Sequence, residues 1–103
     1  MIYRGTIEDS LGNPTDVFVE RKARARVEQT FSYFYYNEKG RSQQLSLNLS
    51  VNEYLTTPFS NEKGAIMTLY QVTVGNTRYN VKAVLNDRKN RLRKVLDCEQ
   101  VLY

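Results

Sequence analysis

Histidine is absent from this chain of 103 residues, which leaves eleven carboxylates, fifteen lysines and arginines and one thiol as the groups that could do chemistry. Without imidazole there is no Ser-His-Asp triad, no ordinary thiol nucleophile–base pair and no common catalytic zinc site. Cys98 stands alone, so no intramolecular disulfide can form, and the sequence predicts a small buried apolar side chain in a reducing compartment. The carboxylates lie beside turns or on polar strand faces, and no pair is set apart for acid and base work. Asp97 and Glu99 share a parity next to Cys98, which reads as a solvated face before it reads as a metal site. The five glycines are scattered singly and form no phosphate-cradling loop. The expectation is a protein that is not an enzyme, with no catalytic, metal or cofactor-binding residues.

What remains is positive charge. Arg21, Lys22, Arg24 and Arg26 form one cluster and Arg88, Lys89, Arg91 and Arg93 a second, within a net charge of +4. If the two met in space they would form a stripe able to neutralise phosphates, and nearby tyrosines could stack bases as in an oligonucleotide-binding barrel. Two other readings stand beside that one. Cations on a strand protect it from edge-to-edge pairing, and arginines facing acidic patches on a neighbouring subunit can fix its register.

The elements that must carry these groups are strands. From Thr15 onward Val17, Val19, Ala23, Ala25, Val27 and Phe31 fall on one parity and Glu20, Lys22, Arg24, Arg26 and Glu28 on the other, the period of a half-buried strand. Arg21 intrudes on the apolar parity and marks a bulge, a strand end, or a stem laid along the apolar face. A short edge-like strand is expected over residues 2–7, before the turn formers of residues 10–14. Aromatic residues carry the strand on through residues 31–36 to a turn at residues 37–40. Leu45, Leu47, Leu49 and Val51 then alternate with polar residues, one face for the core, with room for a short helix over residues 51–55. Residues 55–64 are polar and broken by Pro58 and Gly64, with Phe59 as their one anchor, and predict an exposed loop, flexible over residues 55–65. A strand over residues 66–74, a Gly75-Asn76 hairpin signal and a strand over residues 78–85 follow, the last with Tyr79, Val81, Ala83 and Leu85 on one face. A second hairpin turns in residues 86–90 and returns with Leu92, Leu96 and Cys98 on one parity and Val95, Val101 and Tyr103 on the other.

These elements predict a single all-β domain over residues 1–103, a small antiparallel β-barrel or sandwich of about six to seven strands with long loops. The composition is that of an ordinary soluble domain, the amino-terminal residues lack the apolar core of a signal peptide, and no apolar run approaches the ~20 residues that cross a bilayer.

The closing stretch narrows the choice. Gly75-Asn76, the aromatic-anchored strand through Tyr79, the turn Asn86-Asp87-Arg88, and the final strand ending Leu96-Asp97-Cys98-Glu99 resemble the C-terminal double hairpin of the head-closure, or head-tail joining, proteins of tailed bacteriophages. The resemblance covers about a third of the chain; the rest agrees in layout. It implies a non-enzymatic virion subunit that assembles as a ring beneath the portal and its adaptor, seals the packaged head and offers the tail its platform. Its partners would be portal and adaptor ring proteins, a tail-completion protein and further copies of itself, close to packaged DNA, with no membrane and no small-molecule substrate. It would be made in the host bacterial cytoplasm and end at the head-tail interface of the virion. On that model Thr56, Thr57, Pro58, Phe59, Ser60, Asn61, Glu62, Lys63 and Gly64, with the turn at residues 37–40, would dock partners or face the channel, and residues 21–26 would lie between subunits. The alternatives are a small nucleic-acid-binding barrel, OB-like in layout, and a tail-completion protein.

Overall fold

A computed structural model describes residues 1–38 and 40–101, and for Tyr33, Tyr35, Asn37 and Ser42 the backbone alone. The strands are β1 (Ile2–Glu8), β2 (Pro14–Glu20), β3 (Arg26–Asn37), β4 (Gly40–Asn52), β5 (Phe59–Ser60), β6 (Ile66–Val74), β7 (Thr77–Asn86) and β8 (Arg93–Gln100), with a 3-10 turn at Glu53–Thr56. The all-β expectation holds. Seven strands form one open sheet in the order β2-β1-β6-β7-β8-β4-β3, and β5 pairs with β6 off that path. A small barrel or sandwich fits this curled sheet.

Alternation decides which face is buried. Leu47, Leu49 and Val51 of β4 pack with Leu96 and Cys98 of β8, Tyr79 of β7, Val72 of β6 and Leu55 of the 3-10 turn. A second cluster joins Tyr3, Ala65 and Met67, with Val17, Val19 and Phe59 packed against it. These residues define the inner face. The 3-10 turn lies across it, and the Tyr3 hydroxyl donates to the Leu55 carbonyl at 2.5 Å, tying β1 to the segment that follows β4. On the opposite, outer face the buried Ser50 accepts from Arg93 Nε at 2.7 Å, so no buried polar side chain among the described residues lacks a partner.

Several expectations are corrected. The first strand is not an edge: β1 pairs with β2 on one side and β6 on the other, and β2 is the edge. The long alternating run beginning at Thr15 is two strands, interrupted over residues 21–25. Arg21 is where the first ends, and its guanidinium lies 3.7 Å from the centre of the Phe59 ring. A register shift between Val81 and Ala83 turns the end of β7 over, so Val84 opposes Leu96, and Leu85 opposes Val95 instead of continuing the face of Tyr79 and Val81. Leu92 lies on the β7–β8 connection, exposed, outside the core that Leu96 and Cys98 join. The room left for a short helix over residues 51–55 is taken by the 3-10 turn at Glu53–Thr56.

Residues 55–64 are anchored more firmly than an exposed loop would be. Leu55 is buried, Phe59 packs edge-on against Tyr3 with ring centres 5.1 Å apart, and Asn61 Oδ1 accepts from the backbone of Lys63 and Ala65. Their polar residues remain largely exposed.

The molecule is broad and thin, with extents of 46 × 41 × 20 Å. The radius of gyration is 15.9 Å, against about 13 Å for a compact chain of this length. No described side chain of β3 is buried.

Candidate functional site

Three surfaces hold the residues that the sequence singles out. The first joins the two basic clusters in part. Arg26, at the start of β3, lines a groove of about 520 Å³ with Arg88, Lys89 and Arg93 of the β7–β8 connection and β8. Glu28 and Asp87 line it too. Arg26 donates to Glu28 Oε1 at 2.6 Å, and that bond, with the charges of Glu28 and Asp87, holds its guanidinium even more firmly protonated. Arg93 is committed to Ser50, both to the hydroxyl and to the carbonyl at 2.8 Å. Arg88 and Lys89 are exposed and offer the groove its uncommitted charge. Lys22, Arg24 and Arg91 are exposed outside its lining, and Arg21 belongs to the Tyr3–Phe59 cluster instead.

The second surface is the segment over residues 56–64. With Val17 and Val19 of β2 it borders an apolar groove of about 460 Å³, into which Phe59 and Arg21 also face. The groove follows from alternation: Val17 and Val19 point to the inner face because they oppose Gly5 and Tyr3, and at the sheet edge they are left half-buried against the Tyr3–Met67 cluster. Of the turn at residues 37–40, Gly40 takes φ +107°, the backbone region open to glycine, and Lys39 lies outside the described residues, as does Tyr103.

The third surface is one that reading the residues as strand filler missed. Along β3, Val27, Phe31, Phe34 and Tyr36 are all exposed, Tyr36 at 81%. Register with β4 places Val27, Thr30, Ser32, Phe34 and Tyr36 on the inner face and Phe31 on the outer. The inner-face ring of Phe34 has the Arg41 guanidinium 3.7 Å from its centre as its cover. The available signal was the run Phe31-Ser32-Tyr33-Phe34-Tyr35-Tyr36 itself, six residues with no charge and no proline.

Beside these, Asp97 and Glu99 form no shared site. Glu99 receives Lys82 at 2.7 Å and Gln44 at 2.5 Å, and the Lys82 bond leads in holding its carboxyl below the usual range. Burial, helped by the charge of Asp97, pushes the Cys98 thiol up to about 12, so it is neutral and inert in the fold. Among the described residues no three Cys, Asp or Glu side chains converge as a metal ion would require. No helix among them is long and apolar enough to cross a membrane.

Comparison with family models, with curated proteins and with solved structures finds no match to this chain.

Proposed function

We propose that the chain is a structural subunit of the head-tail connector of a tailed bacteriophage, a head-closure protein that forms a ring below the portal and adaptor and receives the tail. The observation that carries this reading is β3, the outer strand of the β3–β4 hairpin, whose described side chains are all exposed and whose outer edge has no neighbour among the described residues. A long, flat, aromatic edge is a liability in a free protein and an asset in one built to be covered by neighbours. The resemblance of residues 74–99 to the family's closing double hairpin supports it from the other end of the chain, where those residues supply Tyr79, Leu96 and Cys98 to the core. Such a subunit needs no catalytic group. Its place would be the virion, after assembly in the host cytoplasm, with portal, adaptor and tail-completion proteins as partners.

Electron microscopy of heads assembled with and without the protein tests the proposal. An added ring below the portal together with retained DNA is the expected result; heads that gain no ring and leak as before would overturn it.

A second reading, nucleic-acid binding, is favoured by one observation, the convergence of Arg26, Arg88, Lys89 and Arg93 on a single groove. Among the described residues no aromatic ring lines that groove, so phosphate contacts would have to carry the affinity. Binding of a single-stranded oligonucleotide should then weaken with salt at a log–log slope of about −2 to −3, for three or four phosphates neutralised. A slope near zero would remove this reading.

A further inference from the structure

Both ends of the sheet are open, and they differ. The β2 edge belongs to a hairpin that carries Glu8, Asp9, Asp16 and Glu20 against Arg4 alone. The β3 edge is approached through Lys22 and Arg24, begins at Arg26, which pairs with Glu28 at 2.6 Å, and has Arg41 on its partner strand, so that cations outnumber acids there even with Glu38 in the turn. One edge is acidic and the other basic. Their side chains complement each other in shape as well. Beyond Val17 and Val19 the inner face of β2 opens into the apolar groove lined by Phe59, while the inner face of β3 ends in the exposed rings of Tyr36 and of Phe34, the latter with Arg41 over one side. On the outer face Phe18 of β2 and Phe31 of β3 are both exposed.

We infer that the β2 edge of one copy pairs with the β3 edge of the next, continuing the sheet from subunit to subunit. The inference rests on the ring-forming reading above and names the partner of the β3 surface as a second copy of this chain. Like-with-like pairing of two β3 edges would gather the cations of Arg24, Arg26 and Arg41 from both copies at one joint, whereas β2 against β3 sets acids opposite them. A contact between two different patches is heterologous, which is the kind that closes rings when the rotation allows.

Topology adds the direction of the joint. Seven strands lie on the path and every neighbouring pair is antiparallel, so β2 and β3 run the same way. Copies related by the modest rotation of a ring keep that direction. The joint is therefore parallel, a slightly weaker ladder than an antiparallel one, and its strength depends on the aromatic side chains and the charges it brings together.

Cross-linking tests this on the whole chain. Phe18→Cys and Phe31→Cys place single thiols on the outer face of the two edges at exposed positions, and buried Cys98 stays out of the reaction. At high protein concentration with a short bismaleimide, the mixture of the two variants should give a cross-linked dimer, and neither variant alone should. Linking by Phe31→Cys alone would show a symmetric β3 joint and overturn the inference, as would no linking in the mixture up to the solubility limit. As the β2 cysteine is moved from Thr15 to Val19, its best partner along β3 should move toward Tyr36; movement toward Arg26 would overturn the parallel joint. The two proposals fail separately. A ring on heads whose β2 and β3 cysteines never link leaves head closure standing without this joint, and specific linking without any ring on heads leaves the joint without head closure.

Discussion

Tyr3→Phe removes one oxygen from a completely buried side chain, and its effect measures what holds the 3-10 turn to β1. The hydroxyl donates at 2.5 Å to the Leu55 carbonyl, 52 residues along the chain, and it is the bond that ties β1 to the 3-10 turn. The ring itself would stay, edge-on to Phe59 at 71° and 5.4 Å from the Arg21 guanidinium. The loss is therefore that of a buried hydrogen bond with its acceptor left behind, about 1–3 kcal/mol. For a domain of this size each kcal/mol moves the midpoint by about 4–8 °C, so thermal unfolding should begin markedly earlier. Tyr3→Ala, which also takes the ring from Phe59 and Arg21, should cost about 3–5 kcal/mol. Urea unfolding of the three proteins gives the free energies, and hydrogen exchange shows where the loosening falls. Faster exchange should be concentrated at residues 53–61, because those are the residues the hydroxyl holds. A Tyr3→Phe protein within about 0.5 kcal/mol of the parent, the range of an ordinary surface change, with unaltered exchange at those residues, would refute the claim that this bond secures the 3-10 turn to β1.

Gly5→Ala should destabilise the domain by about 1–3 kcal/mol, the usual range for overpacking, because a Cβ there would stand 2.6 Å from Met67 Sδ and 2.8 Å from the Ile66 carbonyl oxygen, a backbone atom that cannot turn aside; an unchanged denaturation midpoint would contradict the packing described. The Cys98 thiol ionises near 9.0 in the absence of burial and at about 12 in the fold, so the stability it contributes is complete below the lower value and is lost as pH rises toward the upper one. Stability measured from pH 8 upward should fall more steeply in the parent than in Cys98→Ala, and equal slopes would show the thiol to be exposed. Deleting residues 56–64 should unfold the domain by taking Phe59 away from Tyr3, whereas Glu62→Ala and Lys63→Ala should leave the denaturation midpoint in place and, on the head-closure reading, impair ring addition to heads.

The local pattern of strands was legible because it depends on neighbours in the chain. Leu45, Leu47, Leu49 and Val51 alternate, and three of the four are fully buried. Gly75-Asn76 makes the two-residue turn, with Gly75 at φ +61° between paired Val74 and Thr77. Arg21 on an apolar parity does mark a strand end. What could not be read was anything fixed by distant partners. Parity cannot say that β1 takes β6 as its second neighbour, and a bulge of one residue between Val81 and Ala83 is enough to send Leu85 to the other face. The anchoring of residues 55–64 depends on Tyr3 and Arg21, which lie far away in sequence. The basic clusters illustrate both halves: their composition was plain, but only the fold shows that Arg26 meets Arg88 and Lys89 while Arg21 turns away to Phe59.

The distribution of buried side chains connects stability to assembly. The buried apolar side chains come from β1, β4, β6, β7, β8, the 3-10 turn and Ala65. Among the described side chains neither edge strand contributes to that set, although β3 is among the longest in the molecule. Its order depends on the ladder to β4 and on a few exposed contacts such as Arg41 on Phe34 and Gln43 on Ser32. Ordering twelve residues of backbone with so little burial is unfavourable entropy without the usual compensation. Covering Phe31, Phe34 and Tyr36 would supply it, since full burial of an aromatic side chain contributes about 1.5–3 kcal/mol. On the ring-forming reading, a subunit arranged this way would have a core that folds by itself, β4 included, and an outer strand stabilised by its neighbour. The hairpin should therefore gain hydrogen-exchange protection in the same step in which the joint forms, and a β2 edge that gains protection with it would identify the neighbour as another copy.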